Sequence, residues 1–260
     1  MRLIIKQNKL EASVWAAHHI AQKINDFKPS KNKPFVLGLP TGSTPLETYA
    51  ELIKMCQKGE VSFENVTTFN MDEYLGLPAT HEQSYHYFMY RNFFDHVDIK
   101  KENIHILDGM AKDPHKECEN YEKAIKDVGG IHLFLGGIGE DGHIAFNEPF
   151  TSLTSRTHVQ PLTKDTIKVN SRFFDYDTSK VPTKALTVGV QTIMDADEVL
   201  ILAFGQNKAK ALHYSIEGAV SHVWTCSALQ MHENAVFACD QEATSALSKE
   251  TTDYFLDIEK

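Results

Sequence analysis

The chain has 260 residues, 42% of them hydrophobic, and a formal net charge of −9 at pH 7, which predicts one globular domain over residues 1–260 with a sizeable core. The acidic balance excludes general binding to nucleic acid or to an anionic membrane, because both need an extended basic surface. No apolar run approaches the roughly 20 residues of a membrane helix, and no signal peptide is visible. The four cysteines form no CxxC pair. We therefore expect a cytoplasmic protein with reduced thiols.

In chain order, short apolar runs alternate with helical patterns. Apolar runs predict strands at residues 2–6, 35–39, 66–71, 103–107, 131–137, 198–204 and 235–240. Apolar residues at helical spacing predict helices at about 11–25, 45–58, 84–94, 115–128 and 207–217, with a helical tail after the last strand. This alternation predicts an α/β fold, a three-layer αβα sandwich with a mostly parallel, Rossmann-like central sheet. In such sheets, ligands bind at the carboxyl ends of the strands. Four stretches, "TGSTP", "DEY", "GEDGHIAFNEP" and "GQNK", follow predicted strands, so we expect these loops to line one edge of the sheet.

The segment from Ser152 to Pro182 interrupts the alternation. It is polar and has few long apolar runs, and a connection of this length is usually functional or mobile. From the residues alone two interpretations stay open, a lid over a binding site or an unstructured excursion on the surface.

The stretch "LPTGSTP" (39–45) lies between a predicted strand and a predicted helix. Gly42 allows the backbone to turn closely, and Ser43 and Thr44 place hydroxyls at the start of the helix. Free backbone amides and the helix dipole suit a phosphate there. The alternative is an ordinary helix cap by Thr or Ser before Pro45.

Two cations could complete a phosphate site in this acidic protein. Lys208 follows the strand at 198–204, and Arg172 lies in "NSRFF" within the interrupting segment. An anion bound here needs local counter-charge. Either residue alone is more typical of a solvated surface charge, and sequence spacing does not show whether the two converge.

Carboxylates follow the strand at 66–71. A partly desolvated Asp72 at this position is a plausible general base for a proton bound to carbon. The alternative is a cap on the next segment. Glu73 is the weaker candidate for the base, because successive side chains of a strand point to opposite faces.

The stretch "LFLGGIGEDGHIAFNEP" (133–149) places His143 between carboxylates after a buried strand. Histidine changes its protonation near neutral pH, and Asp141 and Glu148 could select its tautomer and raise its basicity. These features predict a relay for hydroxyl protons. One histidine with two carboxylates also suits a metal, but no second histidine lies three or four residues away to strengthen that interpretation.

Glycines and small residues separate the polar groups of this stretch. Gly136 and Gly137 would let a substrate approach the backbone, and we expect Gly142 to leave space beside the imidazole. No Ser or Cys occupies an elbow-like motif, so a nucleophilic triad fits poorly.

Taken together, "LGLPTGSTP", "FNMDEYLGL", "GGIGEDGHIAFNEP", "SRT", "NSRFFD" and "ALTVGV" resemble the glucosamine-6-phosphate deaminases, also called glucosamine-6-phosphate isomerases. The resemblance covers the chain to about residue 255. It implies the reversible conversion of glucosamine 6-phosphate and water into fructose 6-phosphate and ammonia, with neither metal nor organic cofactor. "TGSTP" is the least specific element, because the related 6-phosphogluconolactonases have a similar phosphate loop.

The resemblance also implies roles for the candidate residues. Asp72 would move a proton from C2 to C1 of the sugar. His143, oriented by Asp141 and Glu148, would handle the proton transfers that open the pyranose ring. Residues of about 162–182 would form a mobile lid. The implied phosphate clamp consists of Thr41, Gly42, Ser43, Thr44, Arg172 and Lys208.

The sequence departs from the family pattern at an effector site. Allosterically activated members bind N-acetylglucosamine 6-phosphate between subunits through basic residues after "SRT", where this chain has His158 and Gln160. Ser152 and Tyr254 could still contribute. We expect little or no activation, because losing positive charge weakens phosphate binding. The resemblance implies a homo-oligomer, usually a hexamer, although this departure makes that assembly less secure.

Two other functions compete with the deaminase. A sugar-phosphate lactonase on the same scaffold would hydrolyse an ester and would not need Asp72. A non-enzymatic sensor would bind the sugar phosphate without turnover and would usually have lost part of the relay, which is intact here.

Overall fold

The central sheet has seven parallel strands in this computed structural model, which describes residues 1–259. In chain order they are β1 (Arg2–Lys6), β2 (Phe35–Leu39), β3 (Val66–Asn70), β5 (Ile104–His105), β6 (Leu133–Gly137), β9 (Glu198–Ala203) and β10 (Ala235–Asp240). Their spatial order is β1-β10-β9-β6-β2-β3-β5. Every residue of β2, β3, β9 and β10 is buried, as expected for strands covered on both faces.

Helices cover both faces of this sheet. In chain order, the helices are α1 (Lys9–Phe27), α2 (Leu46–Gln57), α3 (Tyr85–Asn92), α4 (Pro114–Asp127), α5 (Lys164–Asn170), α6 (Val190–Met194), α7 (Ala209–Ile216) and α8 (Lys249–Ile258). Of these, α5 joins neither layer and packs in a separate hydrophobic cluster. Side chains of α1, α2 and α3 join one hydrophobic core, and those of α4, α6, α7 and α8 join the other. The predicted three-layer αβα sandwich is therefore confirmed. No helix in the described residues is both long and apolar enough to cross a lipid bilayer.

A second, antiparallel sheet that the sequence did not predict lies beside the first. It consists of β4 (Asp72–Tyr74), β7 (His158–Pro161) and β8 (Lys184–Thr187), in the order β4-β8-β7. Since β4 begins only two residues after β3 ends, the chain leaves the central sheet for the second sheet at Asp72. The predicted strand over 66–71 is accordingly one residue too long.

The segment 152–182 is ordered, so the prediction of an unstructured excursion is wrong. It contains β7, α5 and a short 3-10 helix at Ser171–Phe173. Leu162, Phe174 and Val181 are buried in a third hydrophobic cluster, together with Tyr74 and Phe146. These apolar side chains are far apart in sequence, which is why no amphipathic pattern indicated the cluster.

Candidate active site

A cleft of about 890 Å³ opens at the carboxyl ends of the central strands. Its walls come from the loops after β2, β3, β6 and β9, and from the ordered segment that contains α5. The strand-end rule predicted these four loops on one edge of the sheet. The structure adds that the segment containing Arg172 also lines the cleft.

The loop after β2 has the features of an anion site. Thr41, Gly42, Ser43 and Thr44 all border the cleft, and Gly42 has a left-handed φ of 88°. Pro45 occupies the N-cap position of α2, and no side chain caps that helix. The alternative of a Ser or Thr cap is therefore wrong, and the positive end of α2 remains available to an anion.

Arg172 and Lys208 converge on the same cleft, which the sequence spacing did not show. Burial lowers the pKa of Lys208, and the neighbouring charge of Arg172 lowers it further against the opposing effects of Glu140 and Asp141. Two cations that destabilise each other in this way are both stabilised by a bound anion.

Asp72 is buried, with 8% of its surface exposed, and its side chain borders the cleft. Burial raises its pKa well above the ordinary value, and the nearby Glu73 carboxylate adds to the effect. The alternative that Asp72 caps the next segment is wrong, because Ser84 is the N-cap of α3. The Glu73 carboxylate also accepts hydrogen bonds from the backbone N–H of Tyr85 and His86 at 2.9 Å each, at the start of this helix. The Asp72 side chain therefore remains available to a ligand in the cleft.

His143 and Asp141 form a close pair. Nδ1 of His143 lies 2.7 Å from Oδ1 of Asp141, but the two atoms are not aligned as a well-directed hydrogen bond. The backbone N–H of His143 donates to the same Oδ1 at 3.3 Å. Burial alone would raise the pKa of Asp141, but the hydrogen bond and charge of His143 outweigh it and hold that pKa below the ordinary value. An ionised Asp141 favours the tautomer with a proton on Nδ1, which leaves Nε2 of His143 free to exchange protons with a ligand.

Glu148 lies beneath this pair and is almost fully buried. Its Oε1 accepts long hydrogen bonds from the backbone N–H and hydroxyl of Thr163, at 3.3 and 3.4 Å, and Oε2 accepts none within residues 1–259. One ligand-type atom from each of Asp141, His143 and Glu148 lies within 4.8 Å of the other two. This spacing would also suit a divalent cation.

The glycines of the loop after β6 have different roles from those expected. A Cβ on Gly142 would meet Trp224 at 2.5 Å, so this glycine accommodates the tryptophan. The prediction that Gly142 clears space beside the imidazole is wrong, since Gly139 does so: a Cβ there would lie 2.4 Å from Nδ1 of His143. Gly137 borders the cleft, whereas Gly136 packs more deeply against Met71.

Two further lysines, Lys9 and Lys210, border the cleft. Lys9 begins α1, far from the recognisable loops in sequence, and Lys210 lies over the ring of Trp224, 5.3 Å from its centroid. No motif or spacing indicated either residue, because each reaches the cleft through the packing of separate elements.

The four candidate effector residues do not form one cluster within the chain. His158 and Gln160 contact each other at 3.0 Å, and Ser152 contacts Thr154. Tyr254 is 60% exposed on α8, and no hydrogen bond joins it to the other three among the described residues.

Comparisons with known proteins identify the family of this chain. Residues 7–238 match the family model described as glucosamine-6-phosphate isomerases/6-phosphogluconolactonase. The glucosamine-6-phosphate deaminase of Treponema denticola is 64% identical over all of this chain and 96% of its own length. That of Glaesserella parasuis is 60% identical over all of this chain and 98% of its own length.

Solved structures share the fold. A structure described as a monomeric glucosamine-6-phosphate deaminase superposes with a TM-score of 0.90 and 41% identity, covering 95% of this chain and 100% of that one. The 6-phosphogluconolactonase of Trypanosoma cruzi has a TM-score of 0.76 at 22% identity, covering 95% of this chain and 97% of that one, and shares the fold alone.

Proposed function

This chain belongs to the family of glucosamine-6-phosphate isomerases and 6-phosphogluconolactonases, and from that membership we propose that it is a glucosamine-6-phosphate deaminase. It converts glucosamine 6-phosphate and water into fructose 6-phosphate and ammonia, a step of amino-sugar catabolism. The observation that carries the proposal is the buried Asp72 carboxylate, which shares one cleft with the His143–Asp141 pair and with the cations Arg172 and Lys208. Full-length relatives at 60–64% identity are named for this activity.

The first step we propose is capture of the phosphate. The loop 41–44, the uncapped start of α2, and the Arg172 and Lys208 side chains hold the dianion at one end of the cleft. Charge-assisted hydrogen bonds of this kind are the strong ones in proteins. Backbone at Gly137, with Gly136 behind it, supports the sugar. Binding at this remote group positions the reacting carbons and can favour closure of residues 162–182 as a lid.

The second step is ring opening at His143. The imidazole takes the proton of the C1 hydroxyl and returns a proton to the ring oxygen, so the C1–O5 bond breaks and the open-chain aldehyde forms. Asp141 stabilises the imidazolium that exists between these two transfers. Glu148, buried below the pair, adds a second carboxylate near the imidazole.

The third step is proton transfer between carbons. Asp72 removes the proton from C2 while the aldehyde oxygen on C1 takes up a proton, which gives an enolamine. Asp72 then delivers its proton to C1, and the nitrogen loses one proton, leaving an imine at C2 that water hydrolyses to the ketone with release of ammonia. A carboxylate is more basic when burial raises its pKa, and such a group is better matched to catalysis near neutral pH.

Product analysis tests this proposal against a lactonase. Purified protein is incubated with glucosamine 6-phosphate, and fructose 6-phosphate and ammonia are quantified separately. We expect equal amounts of both and no acid release from 6-phosphogluconolactone. Asp72→Asn should lose at least ~10²-fold in rate, whereas Asp127→Asn, which removes an exposed carboxylate paired with Lys123 on α4, should match the wild type. Binding without product would favour the sensor.

We also propose a cytoplasmic homo-oligomer that acts on its sugar phosphate without metal, organic cofactor, nucleic acid or membrane. Support for assembly comes from family resemblance, whereas the solved relative described as monomeric is a precedent for a single chain. Light scattering after size-exclusion chromatography decides between a mass near 29.4 kDa and a multiple of it.

A further inference from the structure

Lys9 joins three of the elements that build the phosphate end of the cleft. It begins α1, where Asn8 caps the helix, and its side chain borders the cleft. Its Nζ donates a hydrogen bond to the backbone carbonyl of Ser43 at 3.2 Å, and it lies 6.0 Å from the ring centroid of Phe204, in the loop after β9. A single cation thus contacts both the loop after β2 and the loop that leads to Lys208.

The same ammonium group lies against an acidic residue that would oppose phosphate binding. Glu47 is in the first turn of α2, directly after the loop 41–44, and its Oε2 is 2.8 Å from Nζ of Lys9. The Glu47 side chain is 38% exposed as a whole, but Oε2 is buried, and no atom of residues 1–259 gives it a well-directed hydrogen bond. The Lys9 charge is therefore the main interaction that the described residues provide for this oxygen.

An unneutralised carboxylate next to the phosphate loop would repel a dianion. Like charges at close range disfavour each other, most strongly where burial excludes water. At the start of α2 the helix dipole attracts both Glu47 and the phosphate, so the two anions compete for the same positive end of the helix.

We propose that Lys9 is a positioning residue for the substrate phosphate, an inference that rests on the proposed function. It neutralises Glu47 and, through the Ser43 carbonyl, fixes the orientation of the loop whose amides receive the phosphate. It acts through these two groups and leaves direct phosphate contact to the loop amides, Arg172 and Lys208.

The test is a double-mutant cycle on Lys9 and Glu47. Lys9→Met keeps the aliphatic stem and removes the charge. We expect the KM for glucosamine 6-phosphate to rise about tenfold, which corresponds to about 1.4 kcal/mol, with kcat within about twofold of wild type. Adding Glu47→Gln to Lys9→Met should return KM to within about threefold, because the repelling charge is then gone. Lys54→Met, which removes an exposed lysine paired with Glu51 on α2 at 2.9 Å, is the charge-matched control and should leave KM unchanged.

Binding of inorganic phosphate, followed by isothermal titration, gives a readout that does not depend on the sugar. Phosphate affinity should fall and recover in the same pattern as KM. The inference is overturned if KM and phosphate affinity are unchanged in Lys9→Met. It is also overturned if phosphate affinity falls and Glu47→Gln fails to restore it, because Lys9 would then be a direct phosphate ligand. If the wild-type protein binds phosphate but releases no product from glucosamine 6-phosphate, the proposed function is wrong. The phosphate affinities of the double-mutant cycle still test the role of Lys9 in that case.

Discussion

Replacing Gly139 by alanine would disturb the proposed proton relay at a single point. A Cβ at this position would lie 2.4 Å from Nδ1 and 2.5 Å from Cε1 of His143, and 2.6 Å from Oδ1 of Asp141. Gly139 is not among the glycines with a left-handed φ, so alanine itself fits the backbone. An ordinary contact begins near 3.4 Å, and the imidazole must therefore withdraw by about 1 Å, the difference between 3.4 and 2.4 Å.

A displacement of this size has a large effect on catalysis and a small effect on binding. Misplacement by about 1 Å can cost ~10²-fold in rate, so we expect Gly139→Ala to lower kcat about a hundredfold. Phosphate affinity should stay within about twofold, since the loop 41–44 and Lys208 are untouched. Initial rates of fructose 6-phosphate formation and titration with inorganic phosphate measure the two effects. A variant that keeps more than half of the wild-type kcat would refute the reasoning.

The matched control for this change is Gly38→Ala. There a Cβ would lie 2.2 Å from the ring of Phe134 in the core, away from the cleft. Overpacking of this kind typically costs about 1–3 kcal/mol of stability. We expect a lower melting temperature but a nearly unchanged kcat for the folded protein, the opposite pattern to Gly139→Ala.

Three further predictions concern charge and ligands. Because burial raises the pKa of Asp72, its ionised form destabilises the fold at neutral pH. Asp72→Asn should therefore raise the melting temperature at pH 7, and this gain should vanish towards pH 3.8. An equal gain at both pH values would contradict this cause. Dialysis against EDTA should leave kcat within about 20% of its value before dialysis, because we expect no divalent cation at Asp141, His143 and Glu148 to take part. A loss of kcat that added metal restores would show that such a cation does take part. N-acetylglucosamine 6-phosphate should not shift the substrate saturation curve, since His158 and Gln160 supply no fixed positive charge; a clear shift to lower substrate concentration would show a working effector site.

The sequence predicted the parts of this molecule that depend on local pattern. Continuous apolar runs gave the buried strands β2, β9 and β10, and helical spacing gave the helices that cover them. The loops at strand ends followed from the parallel sheet, which is how residues as distant as Thr41 and Lys208 were expected on one edge.

Features that depend on tertiary packing were not predictable in this way. The second sheet pairs β4 with β8, more than 100 residues later, through strands of three and four residues that carry no distinct alternation. Whether Glu73 or Asp72 accepts the first backbone amides of α3 depends on where α3 begins relative to β4. Lys9 shows no signal in sequence because its importance comes from contacts with Ser43 and Glu47, which only the fold brings near.

The distribution of charge in the cleft explains how a protein of net charge −9 can bind an anion and also select an amino sugar. Cations and carboxylates border the same cleft: Arg172 and Lys208 line it together with the loop 41–44, and so do Asp72 and the His143–Asp141 pair. Asp141 lies near enough to Lys208 to oppose the lowering of its pKa. Glucosamine 6-phosphate has the complementary polarity, a dianion on C6 and an amine on C2. We therefore expect Arg172 and Lys208 to pair with the phosphate and the carboxylates to pair with the protonated amine. This pairing of opposite charges would direct C1 and C2 towards His143 and Asp72.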